Sequence, residues 1–319
     1  MSCTCSTLVF GDLLLDVLLY VEGRVSVDRR AHVVKQAVVS PGGAAGNVAV
    51  ALSRLKTPVR LLSAVGADTV GEYLLLRLVG EGVDVSYVRK LGGSTTGITV
   101  GFVEPGGYRT LFTYRGASEE NVVRAEEVAQ LLRGVCLVFI SGYTARNRDR
   151  GESIVSLATE ASKRSVRVAI DLGGFTGEHG YLLPELRGRV GYVFLNEEEL
   201  LEVTGAESVE EGLDELYSTT KPQTIFLKRG ERGCIVMGGG TVETVPAYRV
   251  HVVDTTGCGD VFDAGVLHGI LRGYRAVDAA RLGSLLAAYK ATGYGAQHLP
   301  ESLDELLSFG RNIKALGGP

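Results

Sequence analysis

The sequence predicts an α/β protein: a three-layer sandwich in which helices cover both faces of a mainly parallel central sheet, with a small β-sheet lid added. Three observations lead there. Short apolar runs alternate with longer segments of helical periodicity along most of the chain, as in a parallel sheet packed on both sides. Glycine-rich turns stand where apolar runs give way to helices. Two further segments carry β-rich runs with no good helix, which calls for a second, separate sheet.

In chain order, residues 7–10 read as the first strand, and 44–55 as a helix entered through Pro41-Gly42-Gly43. Residues 60–64 form a second strand, followed by an amphipathic helix over 71–80. Further strands are expected at 136–141, 167–171, 192–195, 224–228 and 234–237, with helices about 153–162, 197–204 and 209–217. A strand ending at Val253 leads to a helix opening near Asp260. The β-only segments are 14–40 and 95–115, the second holding GITVGFVEP and YRTLFTY around a hairpin turn at Pro105-Gly106-Gly107. Residues 1–12, 41–92 and 117–319 are therefore expected to form the body. Residues 13–40 and 93–116 are expected to form a discontinuous lid able to exclude water from an active site.

The bulk numbers bound the function. A chain of 319 residues that is 45% apolar and 22% charged describes a soluble globular protein with ample core. The net charge is −4 with dispersed basic residues, and the cluster from Arg146 to Arg150 reads as a solvated face, so nothing points to nucleic acid. The cysteines are Cys3, Cys5, Cys136, Cys234 and Cys258. They lack zinc spacing, and a disulfide framework is implausible at this length. The run TLVF is too short for a signal peptide and no run is long enough to cross a bilayer, which makes the cytoplasm the default location. The 25 Arg against 8 Lys, with only 9 Asn plus Gln, hint at a hot-living source.

The chemistry concentrates in VVDTTGCGDVFDAGVLHGIL, residues 252–271. Glycines at 257 and 259 let main-chain N–H groups converge, and a helix N-terminus adds partial positive charge, which suits a phosphoryl oxyanion. Asp260 lies at the same mouth, placed to take a proton from an attacking alcohol. The bland alternative is a tight turn with an ordinary acid in the first helical turn.

DTTGCGD resembles the signature of the ribokinase-like, PfkB-type carbohydrate kinases, and further likeness covers nearly the whole chain. PGGAAGNVAVALSRL, VGADTVGEYLLLRLVGEGVDV, LNEEEL and LKRGERGCIV resemble that family's other elements, in its order. The resemblance implies transfer of the γ-phosphate of ATP to a sugar hydroxyl, with Asp260 as base and the amides of Gly257, Cys258 and Gly259 as anion hole. Asn196 and Glu199 would organise Mg²⁺ and the phosphates, Glu199 through water. Their bland alternative is acids in a first helical turn, where the dipole favours them. Lys228, Gly230 and Gly233 would line the nucleotide, or the glycines merely serve a hairpin.

On the acceptor side, GDLLLD resembles the family's first substrate element. Asp16 would hold vicinal hydroxyls, Asp12 would assist or serve the turn, and Gly42, Gly43 and Asn47 would let backbone and amide approach the sugar. Arg115 lies where ketodeoxygluconate kinases face an acid sugar, although DLGGFTG lacks their second arginine. Arg109 and Arg115 read equally well as solvated strand residues. Leu14 replaces the sugar-binding asparagine of ribokinases proper. Asp254 and Thr256, with the loop 293–297, resemble a site for a monovalent cation, K⁺, but Leu299 replaces a serine ligand there. The acceptor expected is a sugar or a nucleoside, and the resemblance also implies a homodimer through the lid. No P-loop, protein-kinase or dinucleotide motif is present. A non-catalytic sugar or nucleotide sensor on the same fold would be expected to have lost the base, and Asp260 is intact.

Overall fold

The computed structural model describes residues 5–26, 28, 31–105 and 108–313. Its strands are β1 (Ser6–Phe10), β2 (Leu14–Val21), β3 (Val34–Gly42), β4 (Val59–Gly66), β5 (Val88–Leu91), β6 (Thr96–Val103), β7 (Arg109–Gly116), β8 (Val135–Ser141), β9 (Arg167–Asp171), β10 (Tyr192–Asn196), β11 (Thr224–Lys228), β12 (Cys234–Gly238) and β13 (Thr241–Val245). Its helices are α1 (Ala44–Arg54), α2 (Thr69–Gly80), α3 (Ala125–Leu131), α4 (Arg148–Lys163), α5 (Leu182–Glu185), α6 (Glu197–Thr204), α7 (Val209–Thr220), α8 (Cys258–Leu271), α9 (Ala276–Ala291) and α10 (Leu303–Arg311).

The large sheet is nine-stranded in the order β13-β12-β11-β10-β9-β8-β1-β4-β5. It is parallel except at the β11–β12 and β12–β13 pairs. Period-2 alternation splits its side chains between two cores. Leu137 and Phe139 of β8 point toward α1, α2, α8, α9 and α10. Val138 and Ile140 point the other way, toward α3, α4, α5, α6 and α7. Both faces are thus dry, which explains why these strands read as continuous apolar runs. On the first face α8 and α9 approach very closely: a Cβ on Gly265 would lie 2.7 Å from Gly283 Cα.

The second sheet is four-stranded, β3-β2-β6-β7. Its register puts Asp16, Ser40, Thr99 and Thr113 in one row and Val17, Val39, Val100 and Phe112 in the next, so the rows face opposite ways. The first row faces the large sheet; the second leaves Val39 and Phe112 exposed. The hairpin turn expected at Pro105-Gly106-Gly107 has its two glycines outside the described residues, as does Cys3.

Several expectations need correction. Residues 252–253 are not a strand; Val253 N–H donates instead to Ala291 O (2.8 Å) at the end of α9. Sheet pairing and helix packing had the same β-branched signature there, and only the latter is realised. Strands β5 and β13 and helices α3, α5, α9 and α10 were not read from the sequence. Arg150 is not on a solvated face: it is fully buried. Cys5 and Cys136 form a disulfide across 131 residues, joining the start of β1 to its neighbour β8, where the sequence argued against a disulfide. Among the described residues no helix is long and apolar enough to cross a membrane.

A disulfide closing so long a loop removes much freedom from the unfolded chain, about 2–5 kcal/mol. Reduction, or Cys136→Ser, should lower the thermal midpoint by several degrees, and the variant should no longer respond to reductant. An unchanged midpoint after complete reduction would remove this bond from the stability account.

Candidate active site

The turn before α8 is set by Gly257, which sits in the left-handed region (φ 75°) as the N-cap and offers no side-chain cap. A Cβ there would also lie 2.8 Å from Ala296 Cβ. Cys258 N–H turns back to Thr255 O (3.2 Å), whereas Gly259 and Asp260 lie where a first turn leaves N–H groups without intrahelical acceptors. Lys228 Nζ stands 3.5 Å from where a Gly259 Cβ would be. A fixed positive charge and the helix dipole therefore meet at one point. Burial pushes the Cys258 thiol up to about 11, which keeps it protonated.

Asp260 projects from this turn and accepts from Asn47 Nδ2 on α1 (2.8 Å). Gln297 Nε2 in turn donates to Asn47 Oδ1 (3.3 Å), fixing the amide. Asp260 keeps some exposed surface, yet desolvation raises its pKa to about 7 against the Asn47 bond that lowers it. Asp16 of β2 is likewise raised to about 7, first by burial and then by the Asp260 charge. Gly42 makes room for Asp16: a Cβ on Gly42 would sit 2.0 Å from the Asp16 carboxyl carbon. Gly43 (φ 79°) is the N-cap that turns the chain into α1.

Asp12 is placed differently from Asp16. Its Oδ1 accepts from Arg150 Nη2 (2.8 Å) and its Oδ2 from Arg115 Nη1, with Asp12 1% and Arg150 0% exposed. Both carboxylate oxygens are engaged by arginines, and Arg115 also lies over the Tyr143 ring, 5.1 Å from its centroid. Arg115 is thus not a freely solvated strand residue; Arg109 is exposed, but its Nη1 reaches from β7 to donate to Thr255 Oγ1 (2.7 Å).

On the other side of Gly259, Lys228 Nζ donates to Asp171 Oδ2 (2.5 Å) and to Asp263 Oδ1 (3.3 Å). Desolvation holds the Asp263 carboxyl well above the usual range; burial acts upward on Asp171 too, but Lys228 and the hydrogen bonds from Asp263 and Gly173 together outweigh it and hold that carboxyl below. The two carboxyls are thus pushed in opposite directions. Asn196 and Glu199 cap α6 reciprocally: Asn196 N–H donates to Glu199 Oε2 (2.8 Å) and Glu199 N–H to Asn196 Oδ1 (2.9 Å). The other Glu199 oxygen, Oε1, lies 3.4 Å from a Cβ built on Gly173, which would also lie 3.0 Å from Asp171 Oδ1. Burial, then the Asp171 charge, raises the Glu199 pKa.

Gly230 and Gly233 both have positive φ and serve the turn between β11 and β12; a Cβ on Gly233 would lie 2.0 Å from Val245 O. They also line a cavity of about 660 Å³, with Lys228, Gly259, Val250, Val252 and Phe262 among its other walls. Asp254, fully buried, binds Thr256 N–H through Oδ1 (2.8 Å) and Tyr20 O–H through Oδ2 (2.6 Å). Sequence reasoning missed Asp171, Asp263, Arg150 and Lys290. An ionisable residue alone inside an apolar helix, as in DVFDAGVL and LLAAYKATG, was the available signal for Asp263 and Lys290.

Residues 6–303 match the model of the pfkB family carbohydrate kinases, and the chain belongs to that family. It is therefore an enzyme, a carbohydrate kinase of this class. It is 32% identical over 310 residues to a Pyrococcus horikoshii protein provisionally named a sugar kinase, covering 94% of each chain. With the fructokinase of Klebsiella pneumoniae it shares 29% identity over 273 residues, 82% of this chain and 83% of that one. The structure of a Burkholderia thailandensis nucleoside kinase in complex with inosine superimposes with a TM-score of 0.79 at 25% identity, covering 96% of this chain and 97% of that one. The fold is thus the ribokinase-like three-layer sandwich.

The Asn47–Asp260 bond has a readable consequence. If Asp260 serves as a base, it works only when deprotonated, and activity should climb with pH through about 7. Asn47→Leu removes a donor that favours the anion, so the climb should move up by roughly one pH unit. A pH–kcat/KM profile unchanged by Asn47→Leu would separate that limb from Asp260.

Proposed function

We propose that this enzyme moves the γ-phosphate of ATP to a hydroxyl, a primary one, of a sugar or sugar derivative, with Asp260 as the base. The observation that carries the reading is the position of Asp260. It joins the buried Asp16–Asn47 side to the Lys228–Gly259 end of the 660 Å³ cavity. Val250, Val252 and Phe262 give the nucleotide base an apolar slot, and Lys228 and the Gly259 amide meet the phosphates.

The acceptor lies over Gly42 and Gly43, its vicinal hydroxyls donating to Asp16. Its reacting O–H gives its proton to Asp260 as the new O–P bond forms and the bond from Pγ to the bridging β-oxygen breaks, releasing ADP. Negative charge moving across the transferring group meets Lys228, the amides of Gly257 and Gly259, and Arg109 from the lid, whereas the Cys258 N–H expected to join them is turned back to Thr255 O.

Glu199 and Asp171 suit Mg²⁺, a hard cation held by one or two carboxylates, water and substrate phosphates. No group of three or more metal-ligating side chains exists among the described residues. That agrees with a cation carried in on the nucleotide, where it would neutralise phosphate charge.

Asp12 and Arg115 act as a linked pair supporting the substrate strand, and Arg115 then has no free face for an acid sugar. A nucleoside is the alternative acceptor, favoured by the nucleoside kinase likeness and by Leu14. A sensor is disfavoured by an acid kept near neutrality beside a phosphate nest. The small sheet acts as the lid, and its outward apolar row at Val17, Val39, Val100 and Phe112 pairs with a second copy.

Asp260→Asn keeps the Asn47 contact but cannot take a proton. With ATP and a panel of sugars, acid sugars and nucleosides, its turnover should fall by about 10³-fold while ATP binding persists. Near-normal turnover would refute the assigned base, and no turnover by the native enzyme with any acceptor would favour the sensor. Phe112→Lys should convert a dimer to a monomer in sedimentation; a native monomer would remove lid pairing from the proposal.

A further inference from the structure

Families with an ion-assisted anion hole need positive charge beneath the turn, and here the turn already has one of its own. Lys290, near the end of α9, is 0% exposed. Its Nζ donates to the main-chain oxygen of Asp254 (2.6 Å) and stands 3.7 Å from Asp254 Oδ2. A buried ammonium is costly unless paired and hydrogen-bonded, and Asp254 supplies both.

The surroundings leave little for a second cation. Asp254 Oδ2 already accepts from Tyr20 O–H (2.6 Å) and Gly295 N–H (2.9 Å), and Oδ1 from Thr256 N–H (2.8 Å). Leu299, where a hydroxyl ligand would be needed, is packed into the apolar core. Thr256 Oγ1 is buried without a hydrogen-bond partner, but an ion bound by Asp254 would have the Lys290 charge beside it, a like-charge contact in a site buried from solvent. One open hydroxyl next to a fixed ammonium does not fit a monovalent ion.

The lysine is also tied to the chemistry. Val253 and Asp254 N–H both donate to Ala291 O (2.8 and 3.3 Å), the residue after Lys290. Two residues beyond Asp254 the chain reaches Thr256, and then Gly257, whose α-carbon packs on Ala296 of the loop that follows α9. The close α8–α9 contact at Gly265 and Gly283 holds the helices that carry the two ends of this arrangement.

We propose that the Lys290 ammonium takes the place of a monovalent cation beneath the 254–260 turn, so that this enzyme needs no K⁺. Lys290 is a positioning residue: it touches no substrate and acts by fixing the turn that carries the anion hole. The inference rests on the kinase reading for its activity readout, but not for its binding readouts.

The test compares the native enzyme in tetramethylammonium, sodium, potassium and ammonium chlorides at one ionic strength, with Mg²⁺ and ATP constant. Turnover and thermal midpoint should agree among the salts within about twofold and about one degree. Crystals soaked in rubidium chloride should show no anomalous peak at Asp254. Specific stimulation by potassium or ammonium, or a rubidium peak on Asp254, overturns the proposal.

Lys290→Met should lose about tenfold or more of turnover in tetramethylammonium and recover part of it in potassium or ammonium, a rescue that a purely structural lysine would not show. A folded Lys290→Met that is indifferent to the salt overturns it. Should that variant fail to fold, the native salt panel and the rubidium soak still decide. If no acceptor is turned over at all, the kinase reading fails, while the melting and rubidium results still judge the ion site.

Discussion

Carboxylates crowd the place where the two sheets meet, and the arrangement of the site follows from how each is compensated. Asp12 is held by Arg115 and Arg150, Asp171 and Asp263 share Lys228, and Asp254 has Lys290. Asp16 and Asp260 have no cation in contact, only neutral donors, and these are the acids raised to about 7. An anion fixed by a buried cation cannot exchange protons cheaply. Pairing is not the whole account, because Asp263 is raised although it touches Lys228, and burial raises Glu199 as well. At Asp16 and Asp260 the lack of a cation in contact suits the hydroxyl-binding and proton-accepting roles proposed for them.

Such pairing was invisible in the sequence, although much of the frame was not. The parallel strands were legible because both faces of the sheet are dry, and the small sheet because its segments contain no helical period. The turn at Gly257 was legible because a left-handed N-cap beside Ala296 admits only glycine. Partners across the fold were not. Arg150 finds Asp12 from 138 residues away and Lys290 finds Asp254 from 36, distances over which no local pattern carries information. The Arg146–Arg150 cluster illustrates this: one of its members is sealed into the core while its neighbours along the helix, such as Arg148, remain in water. The Cys5–Cys136 bond was missed for the same reason, since only the adjacency of β1 and β8 brings the thiols together.

Two contacts join the small sheet to the turn that leads into α8. Tyr20 O–H on β2 donates to Asp254, and Arg109 on β7 donates to Thr255. They grip successive residues of the segment that leads into Gly257 from one face of the small sheet, because Tyr20, Val103 and Arg109 lie in one cross-strand row. Asp16 rides on the same β2 strand as Tyr20 and faces the same way, because residues four apart in a strand share a face. A shift of β2 that moved Asp16 would therefore also move the hydroxyl bound to Asp254. Lys290 reaches that same aspartate from α9, an element of the body. Asp254 is thus held by one donor from the small sheet and one from the body. On the lid and anion-hole roles proposed above, a donor that is covalently part of the chain would keep the turn in place through opening, with no ion to be released.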